Sequence, residues 1–159
     1  MADLKSHFAI LALLGLPILL AAAVFGPAAF DLAFHRRPPE RYLIPAGYNG
    51  WVRIDYCRMN APPLPVEDGR RLIKFSSNGE TSTSSGPLSG HGRDEFFYYS
   101  GNNRTALSTS GVCKGGMIWE PETLTDRATL TPSLRFFVGT EDQYRHEVDP
   151  TGKKFPACE

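Results

Sequence analysis

From Phe8 to Phe30 the chain carries no charged side chain, and this run narrows its options more than any other feature. A stretch of that length exceeds the roughly 20 apolar residues that cross a bilayer. Backbone amides in lipid must bond one another, so the run is helical despite Pro17 and Pro27. It is apolar on every face, unlike the one-sided helix of a soluble domain. Two fates fit. As a cleaved signal peptide, Lys5 supplies the basic start, Phe8–Leu20 the apolar core and Ala21–Ala22–Ala23 a small-residue cut site. As an uncleaved anchor, the run ends at His35–Arg36–Arg37. Cleavage after Ala23 would leave VFGPAAFDLAF on the mature chain with nothing to bury it, which favours the anchor. No cysteine lies near the end of the run, so no lipid is attached there. Lys5 and the free amine on one flank nearly balance Arg36 and Arg37 on the other. A signal-like start with a short N-terminal tail sends the downstream domain across the membrane. The domain is therefore expected outside the cytoplasm, at the cell membrane or released from it.

The organisation expected is a signal peptide or transmembrane anchor over 1–37, a proline-rich linker over 38–41 and one β domain over 42–159. The consecutive prolines Pro38 and Pro39 stiffen the linker into an extended spacer. The chain has 17 basic and 17 acidic residues, and the first 37 hold Lys5, Arg36 and Arg37 against Asp3 and Asp31, so the remainder is one charge negative. Without a basic stripe to displace counterions, nucleic acid is not a partner.

Beyond the linker, short runs with a period of two recur between turn signals. In GWVRIDY (50–56), Val52, Ile54 and Tyr56 alternate with Trp51, Arg53 and Asp55. Such alternation describes a strand with two different faces. Trp51 breaks the polar side; Val52, Ile54 and Tyr56 are expected inward. APPLP, which comes shortly after Cys57, cannot continue a central ladder because proline donates no amide hydrogen. Asn78–Gly79 has the chemistry of a tight hairpin joining Arg70–Ser76 to Glu80–Ser84. A second hairpin joins Glu95–Ser100 to Thr105–Ser108. GVCKGGMIWE reads as a glycine-broken strand and LRFFVG as a buried one. TEDQYRHEV fits one turn of helix or an edge strand. TSTSSGPLSG reads as a mobile loop. Seven to nine short strands at this spacing predict an antiparallel β-sandwich, prealbumin- or immunoglobulin-like, preceded by an N-terminal hydrophobic helix.

In the order YLIPAGYNGWVRIDY, APPLPVEDGRRLIKF, TSTSS, DEFFYYSG, GGMIWE and FFVGTEDQY, the chain resembles a bacterial domain of unknown function whose members commonly carry a signal peptide or lipid-anchor sequence ahead of it. The resemblance implies an envelope or secreted β domain and no activity. It gives Cys57 no role. The spacing GWVRIDY…PP…G.RLIKF…G is similar, more loosely, to prealbumin-like and carboxypeptidase-regulatory β-sandwiches, which are mostly accessory or binding modules.

Candidate chemistry is sparse. Cys57, Cys113 and Cys158 make an odd count. In an oxidising compartment two can pair: Cys57–Cys113, both at strand ends, or Cys113–Cys158, which would tie down the tail. Three unpaired thiols is the plain alternative, and the spacing fits no structural zinc site. His91, near Ser89, Asp94 and Glu95, supplies the residue types of a hydrolase. The loop lacks the G-x-S-x-G elbow, and its flanking glycines suit a solvated loop better. His146–Glu147–x–Asp149 could ligate a metal but reads more simply as a charged surface. Glu67–Asp68 before Gly69 is turn chemistry; a glycosidase pair would need a set separation across a cleft, which spacing cannot show. In the run Phe96–Phe97–Tyr98–Tyr99, alternate rings face opposite ways. One pair belongs in the core; the other needs cover, or makes a sticky patch or a sugar- or peptide-binding platform. Asn103–Arg104–Thr105 fits the glycosylation acceptor pattern of a eukaryotic secretory pathway. Nothing calls for a cofactor. The functional expectation is a binding or structural module of the cell envelope, with an envelope hydrolase built on His91 or an accessory subunit of an envelope complex as alternatives; the subunit would add its aromatic edge to a protein partner's sheet.

Overall fold

A computed structural model describes residues 37–151. The helix expected over residues 1–37 lies outside this range apart from Arg37, as does Cys158. Among the described residues no helix is long and apolar enough to cross a membrane. Arg37 and Ser89–His91 belong to one compact unit, where the Arg37 amide donates to the His91 carbonyl at 3.0 Å. Pro38–Leu88 and the described residues from Gly92 onward form another.

The larger unit is built from nine strands and a helix. The strands are β1 Glu40–Pro45, β2 Gly50–Asp55, β3 Val66–Glu67, β4 Arg70–Lys74, β5 Glu80–Ser82, β6 Glu95–Ser100, β7 Asn103–Ala106, β8 Ile118–Thr125 and β9 Pro132–Val138; the helix α1 spans Glu141–Val148. They form a five-stranded sheet, β3-β4-β1-β6-β7, and a four-stranded sheet, β5-β2-β9-β8.

Both sheets are mixed, which corrects the antiparallel expectation. β1 runs parallel to both β4 and β6, and β2 runs parallel to β5. The cause is the path of the chain. It passes from β1 in one sheet to β2 in the other, returns to β3 and β4, crosses again to β5 and returns to β6. A strand that leaves a layer and comes back through a second one can re-enter beside its predecessor in the same direction, the arrangement that a tight hairpin cannot make. The Asn78–Gly79 turn is one of these crossings. Its expected hairpin does not form, because β4 and β5 lie in different sheets. The local turn bonds are present: the Gly79 amide donates to Ser76 O at 3.0 Å and the Ser76 amide to Glu80 O at 3.1 Å. The second hairpin is present as β6–β7, with Ser100 opposite Asn103.

The inner faces of the two sheets share one core. Tyr42 and Ile44 from β1, Ile73 from β4, Val52 and Ile54 from β2, and Phe136 and Val138 from β9 are buried together, with Tyr56 and Phe75 beside them. Val52, Ile54 and Tyr56 thus face inward as their alternation requires. The Tyr42 ring stacks on Phe96 at 4.7 Å and meets Phe136 edge-on at 5.6 Å, so aromatic packing joins the layers. Burial, and then the nearby Tyr56, Glu40 and Asp94, push the Tyr42 hydroxyl far above its ordinary range, so it stays protonated and donates to Glu40 Oε2 at 3.1 Å.

The TSTSS segment, expected as part of a mobile loop, is a staple. Thr83 is fully buried; its amide donates to Asp55 O and its hydroxyl to Pro62 O at 2.9 Å. Ser85 Oγ accepts from the Leu64 amide at 3.0 Å. These side chains supply the bonds that the proline-rich connection cannot make with itself.

A second cluster forms on the outer face of the four-stranded sheet. Trp119 and Phe137 pack with Tyr144 of α1, and Trp51 and Val148 close the margin. Trp51 therefore breaks the polar side of β2 because α1 covers that face. TEDQYRHEV is a two-turn helix, longer than expected. Its start is set by a capping box, in which the Thr140 hydroxyl accepts from the Gln143 amide while the Gln143 side chain accepts from the Thr140 amide.

Candidate functional site

The opposite outer face, on the five-stranded sheet, carries a different kind of surface. In β6, Phe96 and Tyr98 pack against the core, so Phe97 and Tyr99 take the other side. Register then sets their neighbours: Leu43 of β1 lies beside Phe97 and Lys74, and Tyr99 beside Pro45 and Arg104. The Tyr99 hydroxyl donates to Phe75 O at 2.9 Å. Phe75 comes directly after β4, and β1 lies between β4 and β6, so the ring must lie across β1 to reach it. It forms a floor with Leu43 and Leu72. These residues belong to neither buried cluster.

A shallow cleft of about 530 Å³ opens on this floor, walled by Glu67, Lys74, Arg104 and the Gly101–Asn102 turn. Arg104 grips Glu67 through its two terminal guanidinium nitrogens, at 2.7 and 3.1 Å. Arg41 reaches Glu67 at 3.1 Å and Glu95 at 3.0 Å, and its guanidinium sits 5.9 Å from the Phe97 centroid. Arg70 reaches Glu95 at 3.2 Å. Hydrogen bonds from Arg104, opposed by partial desolvation and reinforced by Arg41, hold the Glu67 carboxyl below its ordinary range. Single exposed pairs add little stability, but a linked set fixes where each side chain points. Lys74 differs from these arginines. Its ammonium lies 4.7 Å from the Tyr99 centroid and makes no ion pair among the described residues.

A second cleft, of about 460 Å³, runs along β5 between Arg53, Asp55, Ser76, Asn78 and Glu80. Its polar groups already bond one another: Arg53 pairs with Asp55 at 2.8 Å, and the Asn78 side chain bonds Ser76 and Glu80. A ligand there would have to break these bonds before gaining its own.

The sequence profile of one family matches residues 36–146, which span the whole of this face. The chain belongs to DUF6843, a family of unknown function. No protein with a curated description matches this DUF6843 chain. A 2.75 Å crystal structure of a protein from Bacillus anthracis, described as a "Putative Lipoprotein", shares its fold with a TM-score of 0.55. That likeness covers 77% of this chain and 85% of the other at 22% identity.

His91 is exposed and lies with Ser89 in one unit; Asp94 and Glu95 lie in the other. Asp94 Oδ1 accepts from the Glu40 amide at 2.9 Å, and Glu95 is held by Arg41 and Arg70. His146 and Glu147 lie on α1, while Asp149 closes the helix and accepts from the Thr151 hydroxyl at 2.6 Å. Among the described residues no three metal-ligating side chains converge. Cys57 carries a free, exposed thiol, so the Cys57–Cys113 bond is not formed; Cys113 is disulfide-bonded. Asn103–Arg104–Thr105 lies in the exposed strand β7; Glu67 ends β3 and receives Arg104, and Asp68 opens the β3–β4 turn.

Sequence reasoning found Tyr99 but missed Lys74 and Asn102. The available signal was the alternation of Arg70, Leu72 and Lys74 in RRLIK, which shares a face with FFYY once the two strands flank β1.

Proposed function

We propose that this DUF6843 protein is a membrane-tethered, extracytoplasmic binding module of the cell envelope, with the outer face of the five-stranded sheet as its ligand surface. One observation carries the binding role. Of two aromatic outer faces, one is roofed by α1, whereas the other presents Leu43, Leu72 and Tyr99 beneath an ordered ring of charges. The charge-free run from Phe8 to Phe30 supports the tether. The description of the Bacillus anthracis structure supports an envelope location. No reaction is assigned, because Asp94 and Glu95 are already engaged in bonds that orient backbone and arginines.

Two measurements test this. Protease added to intact cells should digest the domain; full protection reverses the topology. A photo-crosslinking residue at Asn102 should label an envelope component in living cells, while one at Glu147 on α1 should not. Equal labelling from both positions, or none from Asn102, removes the binding face.

A further inference from the structure

We infer that the Tyr99 platform takes an anionic glycan, its sugar ring stacked on the tyrosine and its acidic group on Lys74. This deepens the binding reading above and rests on it.

Three features point to this chemistry. The first is the Tyr99 ring, which lies across β1 and is held there by its bond to Phe75 O. The ring's solvent side carries the Lys74 ammonium, 4.7 Å from the centroid; a pyranose, whose axial C–H groups suit the negative face of an aromatic, takes that place when the flexible lysine turns to the acidic group. Secondly, the charges are unequally committed. Glu67 is matched by Arg104 and Arg41, and Glu95 by Arg41 and Arg70. Lys74 is exposed, with the Tyr99 ring as its contact and no carboxylate partner among the described residues. The cleft thus has one uncommitted positive charge beside a stacking surface, and an acidic group completes it. Thirdly, Asn102 and Arg104 bring planar polar groups to the rim, the side chains that bond ring hydroxyls. An acidic peptide would satisfy Lys74 but brings no pyranose face to the Tyr99 ring.

The test uses the purified full-length chain in mild detergent and three probes: an oligogalacturonate, a maltooligosaccharide of the same length and oligoglutamate. Calorimetry should show the uronate binding about tenfold more tightly than the neutral sugar, with the advantage shrinking as salt rises. Lys74→Gln, a surface change, should erase that advantage. Tyr99→Ala should abolish both. Tyr99→Phe, which keeps the ring and the fold, should retain the preference for the acid. Equal affinity for both sugars, or an advantage that survives Lys74→Gln, overturns the inference. Oligoglutamate binding as tightly as the uronate in a Lys74-dependent way makes the ligand an acidic peptide and overturns it too. If neither sugar binds while Asn102 still crosslinks in cells, the glycan assignment falls and the binding face stands; if both fail, both fall.

Discussion

Replacing Gly79 by alanine tests the crossing between the two sheets. Gly79 has φ of +80°, and a Cβ there would lie closer than 3.0 Å to the Tyr48 ring and hydroxyl and 3.0 Å from Trp51 O. The positive φ alone costs an alanine about 1 kcal/mol. Tyr48 must also move, and its hydroxyl then leaves Trp51 O, which it bonds at 2.6 Å, and Asn78 O at 3.3 Å. That loss adds about 1 kcal/mol. Repacking the ring adds about 1 kcal/mol more. Gly79→Ala should therefore destabilise the protein by about 3 kcal/mol, read by urea unfolding followed in the near-ultraviolet circular dichroism. In a Tyr48→Ala background the clash is gone and about 1 kcal/mol should remain, a coupling of about 2 kcal/mol between the two sites. If the turn were a solvent-facing hairpin, Gly79→Ala would cost the same in both backgrounds. That equality, or a cost below about 1 kcal/mol, refutes the crossing.

Other outcomes rest on the same structure. Without reduction, alkylation should label Cys57 alone, and peptide mapping should recover the bond of Cys113 joined to Cys158, the proposed partner; closing a loop of that size adds about 4 kcal/mol of stability. A map showing Cys57 in that bond contradicts this. The Glu67 carboxyl is held low by Arg104 and Arg41, so its stabilising contribution is present above the ordinary carboxylate range and disappears as pH falls through its lowered value. The melting temperatures of the wild type and Glu67→Gln should therefore differ at neutral pH and converge in acid; a gap that widens in acid would have the wrong sign. Tyr144 stacks on Trp119 at 5.4 Å and touches Phe137, so Tyr144→Ala should cost about 3 kcal/mol and release α1 as an early step in amide exchange. Protection of 141–148 equal to that of β9 would argue that the helix is held by something else.

Much of the fold was legible because its signals are local. The alternation in GWVRIDY and FFYY assigned inner and outer faces, since successive side chains on any strand point opposite ways. The β6–β7 turn was legible for the same reason. The Asn78–Gly79 error shows the limit. An Asn–Gly pair dictates a tight change of direction, and the turn bonds between Ser76, Gly79 and Glu80 do form, but no residue close to the turn states whether the next strand joins the same sheet. The α1 helix was misjudged through an overlooked capping box at Thr140 and Gln143, which was readable. The role of Thr83 was not, because its partners Asp55 and Pro62 lie over twenty residues away.

By itself the sequence determined a charge-free run over residues 8–30, a β domain of short strands and the two-faced character of each strand, because these depend on side chains a few positions apart. Tertiary structure decided which outer face α1 covers, which cysteine is free and that Lys74, Tyr99 and Arg104 meet on one surface. Those outcomes depend on which strands become neighbours. That choice is made by the shared burial of Tyr42, Ile73 and Phe136, residues far apart in the chain whose apolar surface leaves water only when both sheets close over it.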